Sequence, residues 1–205
     1  TLSDTALKAG DNATVTLVFS EAVASFSSSA DITADNGTLA AMSSADNVTW
    51  TGTFTPTTNT EDASNTLFLA TSYTDTAGNA GPAATTANYK VSTLVPTIFS
   101  VTAGWGTSLN ATEDDSSGTV TVVTSNVENG QTVTVSLNGT NYTGTVSDNS
   151  TSVTIAASGL QALTNGSSYT LTTNVSNAAG NAATENTGTS FTYDITAPTL
   201  AETTV

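Results

Sequence analysis

The chain has 205 residues, among which 17 Asp and Glu face only two basic side chains, so its formal net charge is -15. Nucleic acid and anionic lipid are therefore excluded as natural partners, because phosphate binding requires clustered Lys and Arg. The absence of Cys and His excludes disulfides, thiolate metal sites and the usual catalytic triads, and leaves hard cations as the natural ligands.

Short runs of alternating polar and apolar residues, separated by turns rich in Gly, Asn, Asp and Ser, predict an all-β chain. The strands predicted in chain order span residues 13–20, 47–55, 66–73, 85–91, 118–124, 131–137, 152–155, 169–175 and 189–193. In the second of these, Trp50 and Phe54 share one face, which makes Trp50 a core candidate. Two hairpin turns are predicted, at Asp35-Asn36-Gly37 and at Asp148-Asn149. No apolar run approaches the ~20 residues of a membrane helix, so membrane insertion is not expected.

An internal repeat defines the domain organisation. The segment Tyr73–Asn79 is echoed by Val175–Asn181, and each copy is followed by one last strand and a proline, Pro96 or Pro198. The spacing predicts two sandwich modules, each of the size of a seven-stranded immunoglobulin-like domain. The predicted domains are residues 1–94, with a truncated first strand, and residues 95–197; residues 198–205 would begin a following repeat.

Several short motifs resemble the bacterial Ig-like tandem repeats of giant RTX-type, biofilm-associated surface adhesins. They are Leu7–Asp11, Val18–Val23, Thr74–Asn79 and Tyr193–Pro198. The resemblance implies tandem immunoglobulin-like β-sandwiches arranged end to end on a bacterial cell surface, with calcium stiffening their junctions. It also implies an extracellular, monomeric extender in cell adhesion or biofilm formation. Its partners would be neighbouring repeats, and host or environmental glycans would be reached only through other domains.

Calcium ligands are expected first at the pole of the first module. In an immunoglobulin-like strand order, the loops after the second and sixth strands lie at the pole where the chain enters, which we call the entry pole. These loops carry Glu21, and Asp75 with Asn79, while Asp4 is a further candidate. Calcium takes six to eight oxygen ligands, which carboxylates and amide carbonyls supply.

The second module departs from this pattern at its own entry pole. Aligning the two prolines places Ser92 where Asp194 stands, and Asn177 replaces Asp75. Only Glu128 persists as a carboxylate. Calcium affinity decreases when fewer charged ligands are present. The internal junction is therefore predicted to bind calcium weakly or not at all.

The opposite, exit pole of the second module carries an acidic run, Glu113-Asp114-Asp115, and the last strand should deliver Asp194 to the same end. Adjacent carboxylates repel one another unless a cation or water separates them. A calcium ion shared with a third module is therefore a hypothesis here. The competing interpretation, for this run as for the other acids, is that a surface Asp or Glu in a turn is an ordinary solvated turn former.

Other functions have weaker support in the sequence. Scattered acids offer no distinctive catalytic pair, so no enzymatic activity is expected. Trp105, flanked by two glycines, is either a buried packing residue or a sugar-stacking platform in a glycan-binding module. An accessory module of a secreted hydrolase is a third option. Threonine ladders such as 119–121 would suit an ice-binding face, but outward threonine is ordinary on strands.

Overall fold

The computed structural model describes residues 1–201. The chain is nearly all β and divides into two compact units, Thr1–Leu94 and Val95–Val205, called unit 1 and unit 2 below. None of the helices within residues 1–201 has the length and apolar character that a membrane span requires.

Unit 1 contains nine short strands and one helical turn. In chain order they are β1 (Ala6–Lys8), β2 (Ala13–Val18), α1 (Ser28–Asp31), β3 (Ile32–Ala34), β4 (Gly37–Leu39), β5 (Thr49–Pro56), β6 (Glu61–Asn65), β7 (Leu67–Leu69), β8 (Ala84–Thr85) and β9 (Tyr89–Ser92). They form three-stranded sheets in the orders β2-β5-β4, β1-β9-β6 and β3-β7-β8. The chain passes from β6 into β7 and from β8 into β9, so the β1-β9-β6 and β3-β7-β8 sheets are built from the same stretches of chain. Together they lie across the core from the β2-β5-β4 sheet.

Unit 2 repeats this plan of short strands and one helical turn. They are β10 (Thr97–Ala103), β11 (Ser108–Leu109), β12 (Gly118–Ser125), β13 (Thr132–Leu137), β14 (Thr140–Thr145), β15 (Ser150–Ile155), α2 (Ala157–Leu160), β16 (Ser168–Tyr169), β17 (Thr172–Val175), β18 (Asn186–Thr187) and β19 (Phe191–Tyr193). The sheet orders are β10-β12-β15, β14-β13-β17-β18 and β11-β19-β16. Each unit is an immunoglobulin-like β-sandwich.

The alternation read from the sequence decides which side chains enter each core. In β13, Val133, Val135 and Leu137 are buried while the intervening residues point outward. In β5, Phe54 is fully buried and Trp50 packs against the core from a partly buried position. Each unit has its own cluster of buried apolar side chains. The predicted all-β immunoglobulin-like fold is confirmed.

The two predicted hairpin turns have different outcomes. Asp148 and Asn149 both have positive φ, and flanking Ser147 and Ser150 pair across the turn, as a two-residue hairpin requires. The turn at residues 35–37 is not a hairpin, because β3 pairs with β7 whereas β4 pairs with β5. It instead carries the chain from one sheet to the other, with Asn36 at φ 47°.

Candidate functional site

The entry pole of unit 1 brings two distant loops together. Val23, in the loop after β2, forms a β-bridge with Asp75, and the Ala24 N–H donates to the Thr74 carbonyl at 2.9 Å. As a result Glu21, Asp75 and Asn79 line one shallow surface cavity of about 170 Å³.

The Asp75 carboxylate organises its own loop. Its Oδ1 accepts the N–H groups of Ala77 at 2.8 Å and of Asn79 at 2.9 Å, and its Oδ2 accepts the side-chain N–H of Asn79 at 2.8 Å. Gly78, at φ 91°, supplies the left-handed backbone that closes the turn. The side-chain and backbone hydrogen bonds from Asn79 lower the pKa of Asp75, so this carboxylate is ionised in the folded protein.

The donor set at this pole fits part of a calcium shell. A carboxylate oxygen has two lone pairs, so Asp75 Oδ2 retains capacity beyond the one N–H that it accepts. The Glu21 carboxylate and the Asn79 amide oxygen belong to side chains lining the same cavity. These are the hard oxygens that calcium prefers, although a full shell needs six to eight. Within residues 1–201, no group of three or more acidic side chains is placed to hold a metal ion.

Asp4 does not join this group, which differs from the expectation from sequence. The Ser3 N–H donates to the Thr14 carbonyl, near the start of β2, whereas Glu21 follows the other end of that strand. The run from Thr14 to the end of β2 alone is about 13 Å at ~3.3 Å per residue. Asp4 instead accepts the Ala6 N–H at 2.9 Å and closes a local turn.

The matching loop of unit 2 has the same backbone but different chemistry. Asn177 takes the place of Asp75: its N–H donates to the Asn181 carbonyl at 3.0 Å, and its Oδ1 accepts the Asn181 N–H at 2.9 Å. Both amides are buried, at 5% and 4% exposure. Glu128 Oε2 accepts the Ala178 N–H at 2.8 Å, so this carboxylate fastens one loop of unit 2 to the other.

At the exit pole of unit 2, one carboxylate of the acidic run points inward. Asp114 is buried at 6% exposure, and its Oδ2 accepts the Tyr193 hydroxyl at 2.5 Å. This hydrogen bond, aided by burial and by the charges of Asp114 and Asp115, raises the pKa of Tyr193 to about 12. Since Tyr193 directly precedes Asp194, the contact brings the acidic run to the end of the last strand.

Two other acids of this pole, Glu113 and Asp194, have local partners. Glu113 Oε2 accepts the Asn110 N–H at 3.0 Å, and Asp194 Oδ1 accepts the Thr196 N–H at 2.9 Å. The Asp194 N–H donates to the Leu109 carbonyl at 2.9 Å. The acids Glu113 and Asp194 therefore act as turn formers as well as candidate ligands.

Sequence reasoning missed two residues that build the exit pole. Asn110 Oδ1 accepts the N–H groups of Thr112 at 2.9 Å and Glu113 at 3.2 Å, a turn motif visible in the spacing of Asn and Glu. Tyr193 was missed as the partner of Asp114, because 79 residues separate the two in the chain.

Trp105 is a packing residue. It is 8% exposed, and its ring meets that of Phe191 edge to face with 5.3 Å between centroids. A Cβ on Gly118 would lie 2.5 Å from the indole, so this glycine makes room for the ring. The sugar-stacking interpretation of Trp105 is therefore wrong, because no face of the indole is left for a ligand.

Comparison with known proteins identifies a family for part of the chain. Residues 1–91 match the sequence model of the bacterial Ig-like domain. The chain is 32% identical to an immunoglobulin-like domain from the M. primoryensis ice-binding adhesin, over 49% of this chain and 99% of that one, with a TM-score of 0.35. No curated protein matches the chain.

Two larger solved structures are also similar to the chain. One is a 1.5-MDa bacterial ice-binding adhesin, 24% identical over 96% of this chain and 64% of that chain, with a TM-score of 0.46. The other is a Ca2+-stabilized adhesin that helps an Antarctic bacterium reach out and bind ice, 23% identical over 92% and 45%, with a TM-score of 0.48. The chain thus spans less than two thirds of each of these structures. The match over residues 1–91 places unit 1 in the bacterial Ig-like domain family.

Proposed function

We propose that the chain is an extender of a secreted bacterial surface adhesin, in which calcium at the sandwich poles restrains hinge motion between repeats. Residues 1–94 and 95–197 would be two repeats arranged end to end, and residues 198–205, of which 202–205 lie outside the described residues, would begin the next. The partners would be neighbouring repeats, the location the cell surface, and the biological role cell adhesion or biofilm formation. The family match of unit 1 supports the extender, and each unit is a sandwich with its own core.

The observation that best supports the proposal is the cavity that Glu21, Asp75 and Asn79 line at the entry pole of unit 1. The Asp75 carboxylate holds its own loop, so the ionised group already has a fixed position. Little conformational entropy is therefore lost when a cation binds. A formal net charge of -15 makes neutralisation of this pole favourable. The remaining calcium ligands would be backbone carbonyls, water and oxygens of a preceding repeat.

The entry pole of unit 2 supplies a built-in comparison. Asn177 replaces the ionised Asp75, and Glu128 already accepts a backbone N–H. With fewer free charges this pole should bind calcium weakly. The exit pole of unit 2, with Asp114, Asp115 and Asp194, is the second calcium candidate, completed by a following repeat.

Unit-specific thermal melting tests the proposal. Unit 1 contains Trp50 and unit 2 contains Trp105, and these are the two tryptophans of the chain. In a Trp105→Phe protein, the fluorescence of Trp50 therefore reports unit 1 alone. A ligand that binds only the folded form adds about 2.7 kcal/mol at a hundredfold excess over Kd. The unit 1 midpoint should then rise by roughly 10 to 20 °C in calcium relative to chelator.

Two matched variants make the result specific. Glu21→Gln should remove most of the calcium-dependent rise, whereas Glu128→Gln, at the corresponding pole of unit 2, should leave the unit 1 midpoint unchanged. Equal midpoints of unit 1 in calcium and in chelator would contradict the calcium part of the proposal. Magnesium at the same concentration controls for general screening of charge.

A further inference from the structure

Four Asn-Gly pairs occur in the chain, and the fold holds them to different degrees. They are Asn36-Gly37, Asn129-Gly130, Asn138-Gly139 and Asn165-Gly166. Asn is thermally labile, and a following glycine makes it more so, because glycine has no Cβ to shield its backbone nitrogen. That nitrogen can attack the side-chain amide of the Asn and close a succinimide ring. In a folded protein the reaction requires a glycine N–H and an Asn side chain that are free to approach each other.

In unit 1, the side chain of Asn36 is held in place. It belongs to a partly buried residue, and its Nδ2 donates to Asp62 Oδ2 at 2.9 Å and to Asn65 Oδ1 at 2.7 Å. The Asn36 carbonyl also accepts the Thr57 N–H at 2.9 Å, so the backbone is held as well. Both side-chain hydrogen bonds must break before this amide can react, because the reaction releases Nδ2 as ammonia.

In unit 2, Asn129-Gly130 is tied through both of its residues. The Gly130 N–H donates to the Val146 carbonyl at 2.9 Å, so this nitrogen is engaged away from the Asn side chain. Asn129 Oδ1 accepts the Asp148 N–H at 2.8 Å. The attacking nitrogen and the amide that it would attack are therefore both held by other groups.

The pair Asn165-Gly166 is tied in the same way. The Gly166 N–H donates to the Tyr193 carbonyl at 2.8 Å. Asn165 Oδ1 accepts the Ile195 N–H at 3.0 Å, and Asn165 Nδ2 donates to Thr196 Oγ1 at 2.8 Å. These hydrogen bonds oppose ring closure at this pair too.

The pair Asn138-Gly139 differs from the other three. It forms the two-residue turn between β13 and β14, in which Leu137 pairs with Thr140 and the two turn residues have φ of 50° and 78°. Both turn residues are exposed, and a Cβ on Gly139 would meet no atom beyond its chain neighbours within 4 Å. Within residues 1–201, neither the Asn138 side chain nor the Gly139 N–H has a hydrogen-bond partner. The two reacting groups are therefore free in the folded protein.

We propose that Asn138 is a site of spontaneous modification, at which Asn converts to aspartate and isoaspartate while the protein stays folded. The Gly139 nitrogen attacks Cγ of Asn138, so that an N–Cγ bond forms and the Cγ–Nδ2 bond breaks. Nδ2 leaves as ammonia with the proton that the Gly139 nitrogen loses, and a succinimide remains. Water then adds to either carbonyl of the succinimide and opens the ring, which gives aspartate or isoaspartate. Each conversion adds one carboxylate to the chain.

Isoaspartate changes the hairpin, because its side-chain methylene becomes part of the backbone. A two-residue turn fixes the register of the strands that it joins, so a longer backbone disturbs their pairing. Leu137, next to the turn, is 1% exposed and belongs to the core of unit 2. Conversion should therefore lower the stability of unit 2 and leave unit 1, in which Asn36 is held, unchanged.

Peptide mapping of the full chain tests the site. The protein is incubated in mildly alkaline buffer, folded in one sample and unfolded by guanidinium chloride in the other. Cleavage after leucine and aromatic residues places the four Asn-Gly pairs in separate peptides, and mass spectrometry measures the conversion of each. In the unfolded chain all four pairs should react at similar rates. In the folded chain Asn138 should react at least about tenfold faster than the other three, because their hydrogen bonds raise the barrier to ring closure.

Thermal melting of the incubated protein tests the consequence for unit 2. Its transition should fall by roughly 4 to 8 °C after conversion, while the unit 1 transition stays in place. Asn138→Gly is the matched control, because Gly-Gly suits the same turn and has no side-chain amide to lose, so its unit 2 transition should survive incubation.

Three results would overturn the proposal. The first is an intact Asn138 in the folded protein after the same time in which the unfolded chain has reacted. The second is equal conversion of all four pairs in the folded protein. The third is an equal fall of the unit 2 transition in the incubated Asn138→Gly variant.

Discussion

Replacement of Trp105 separates the structural role of this residue from glycan binding. Its indole is 8% exposed and packs on Phe191, in a space that Gly118 leaves open. Trp105→Ala should therefore destabilise unit 2. A residue used to stack on sugar would instead be exposed, and its loss would leave folding intact.

The magnitude follows from burial and from one unpaired group. A buried tryptophan removes about 150 to 250 Å² from water, worth about 4 to 6 kcal/mol at ~25 cal/mol/Å². Nε1 of Trp105 is buried without a hydrogen-bond partner among the described residues. Burial of this unpaired N–H costs about 1 to 3 kcal/mol, which offsets part of the gain from burying the ring. From the middles of these two ranges, the net loss in Trp105→Ala should be about 3 kcal/mol, at the low end of the usual range for removing a core tryptophan.

Calorimetry of the wild type and two variants provides the assay. Trp105→Ala should lower the unit 2 transition by roughly 12 to 24 °C, while the unit 1 transition, followed through Trp50 fluorescence, stays in place. Trp105→Phe keeps most of the apolar area and removes the unpaired N–H, so its unit 2 stability should stay within about 1 kcal/mol of wild type. An unchanged unit 2 transition in Trp105→Ala would refute the packing role.

Three further predictions concern charge. Hydrogen bonds lower the pKa of Asp75 below its ordinary value of 3.8, so the ionised carboxylate stabilises unit 1 at pH values above 3.8, and this stabilisation is lost as the pH falls below 3.8. Acid melting followed by Trp50 fluorescence should show this loss, and Asp75→Asn should remove it. Burial and the charge of Asp35 raise the pKa of Tyr89 to about 12, and the hydrogen bond to Asp114 raises the pKa of Tyr193 to about 12. Because the folded state favours the neutral phenols, both units should lose stability as the pH rises from about 10 towards 12. An absorbance titration in which all five tyrosines ionise together near pH 10 would contradict this. Glu128→Ala removes the acceptor of the Ala178 N–H, so amide exchange at Ala178 should accelerate while that at Gly180 changes less.

The sequence predicted the strands that alternate and missed those that do not. Polar β6, Glu61–Asn65, shows no apolar period, and it is held by contacts such as Asn65 Nδ2 donating to the Tyr89 carbonyl at 3.1 Å. The strand predicted at 66–73 is observed only at Leu67–Leu69, because Tyr73 leaves the ladder to pack on Phe19 with 4.9 Å between ring centroids.

For the candidate site, topology was the useful part of sequence reasoning. The rule that loops after the second and sixth strands share a pole predicted that Glu21 and Asp75 lie together, which the cavity shows. It could not show that Asp114 turns inward to Tyr193, since the burial of one acid in a run of three depends on packing between distant segments. Asp4 was a further candidate from the sequence, but the first segment runs away from Glu21 along β2.

A crystal of the chain grown with calcium, with anomalous data, gives the most direct test of cation binding at the poles. A calcium peak is predicted at the entry pole of unit 1, with oxygens of Glu21 and Asp75 at about 2.3 to 2.6 Å, and none beside Asn177 in unit 2. Water alone around the Glu21 and Asp75 carboxylates at saturating calcium would contradict a cation-bound pole, leaving a sandwich whose acids only shape its turns.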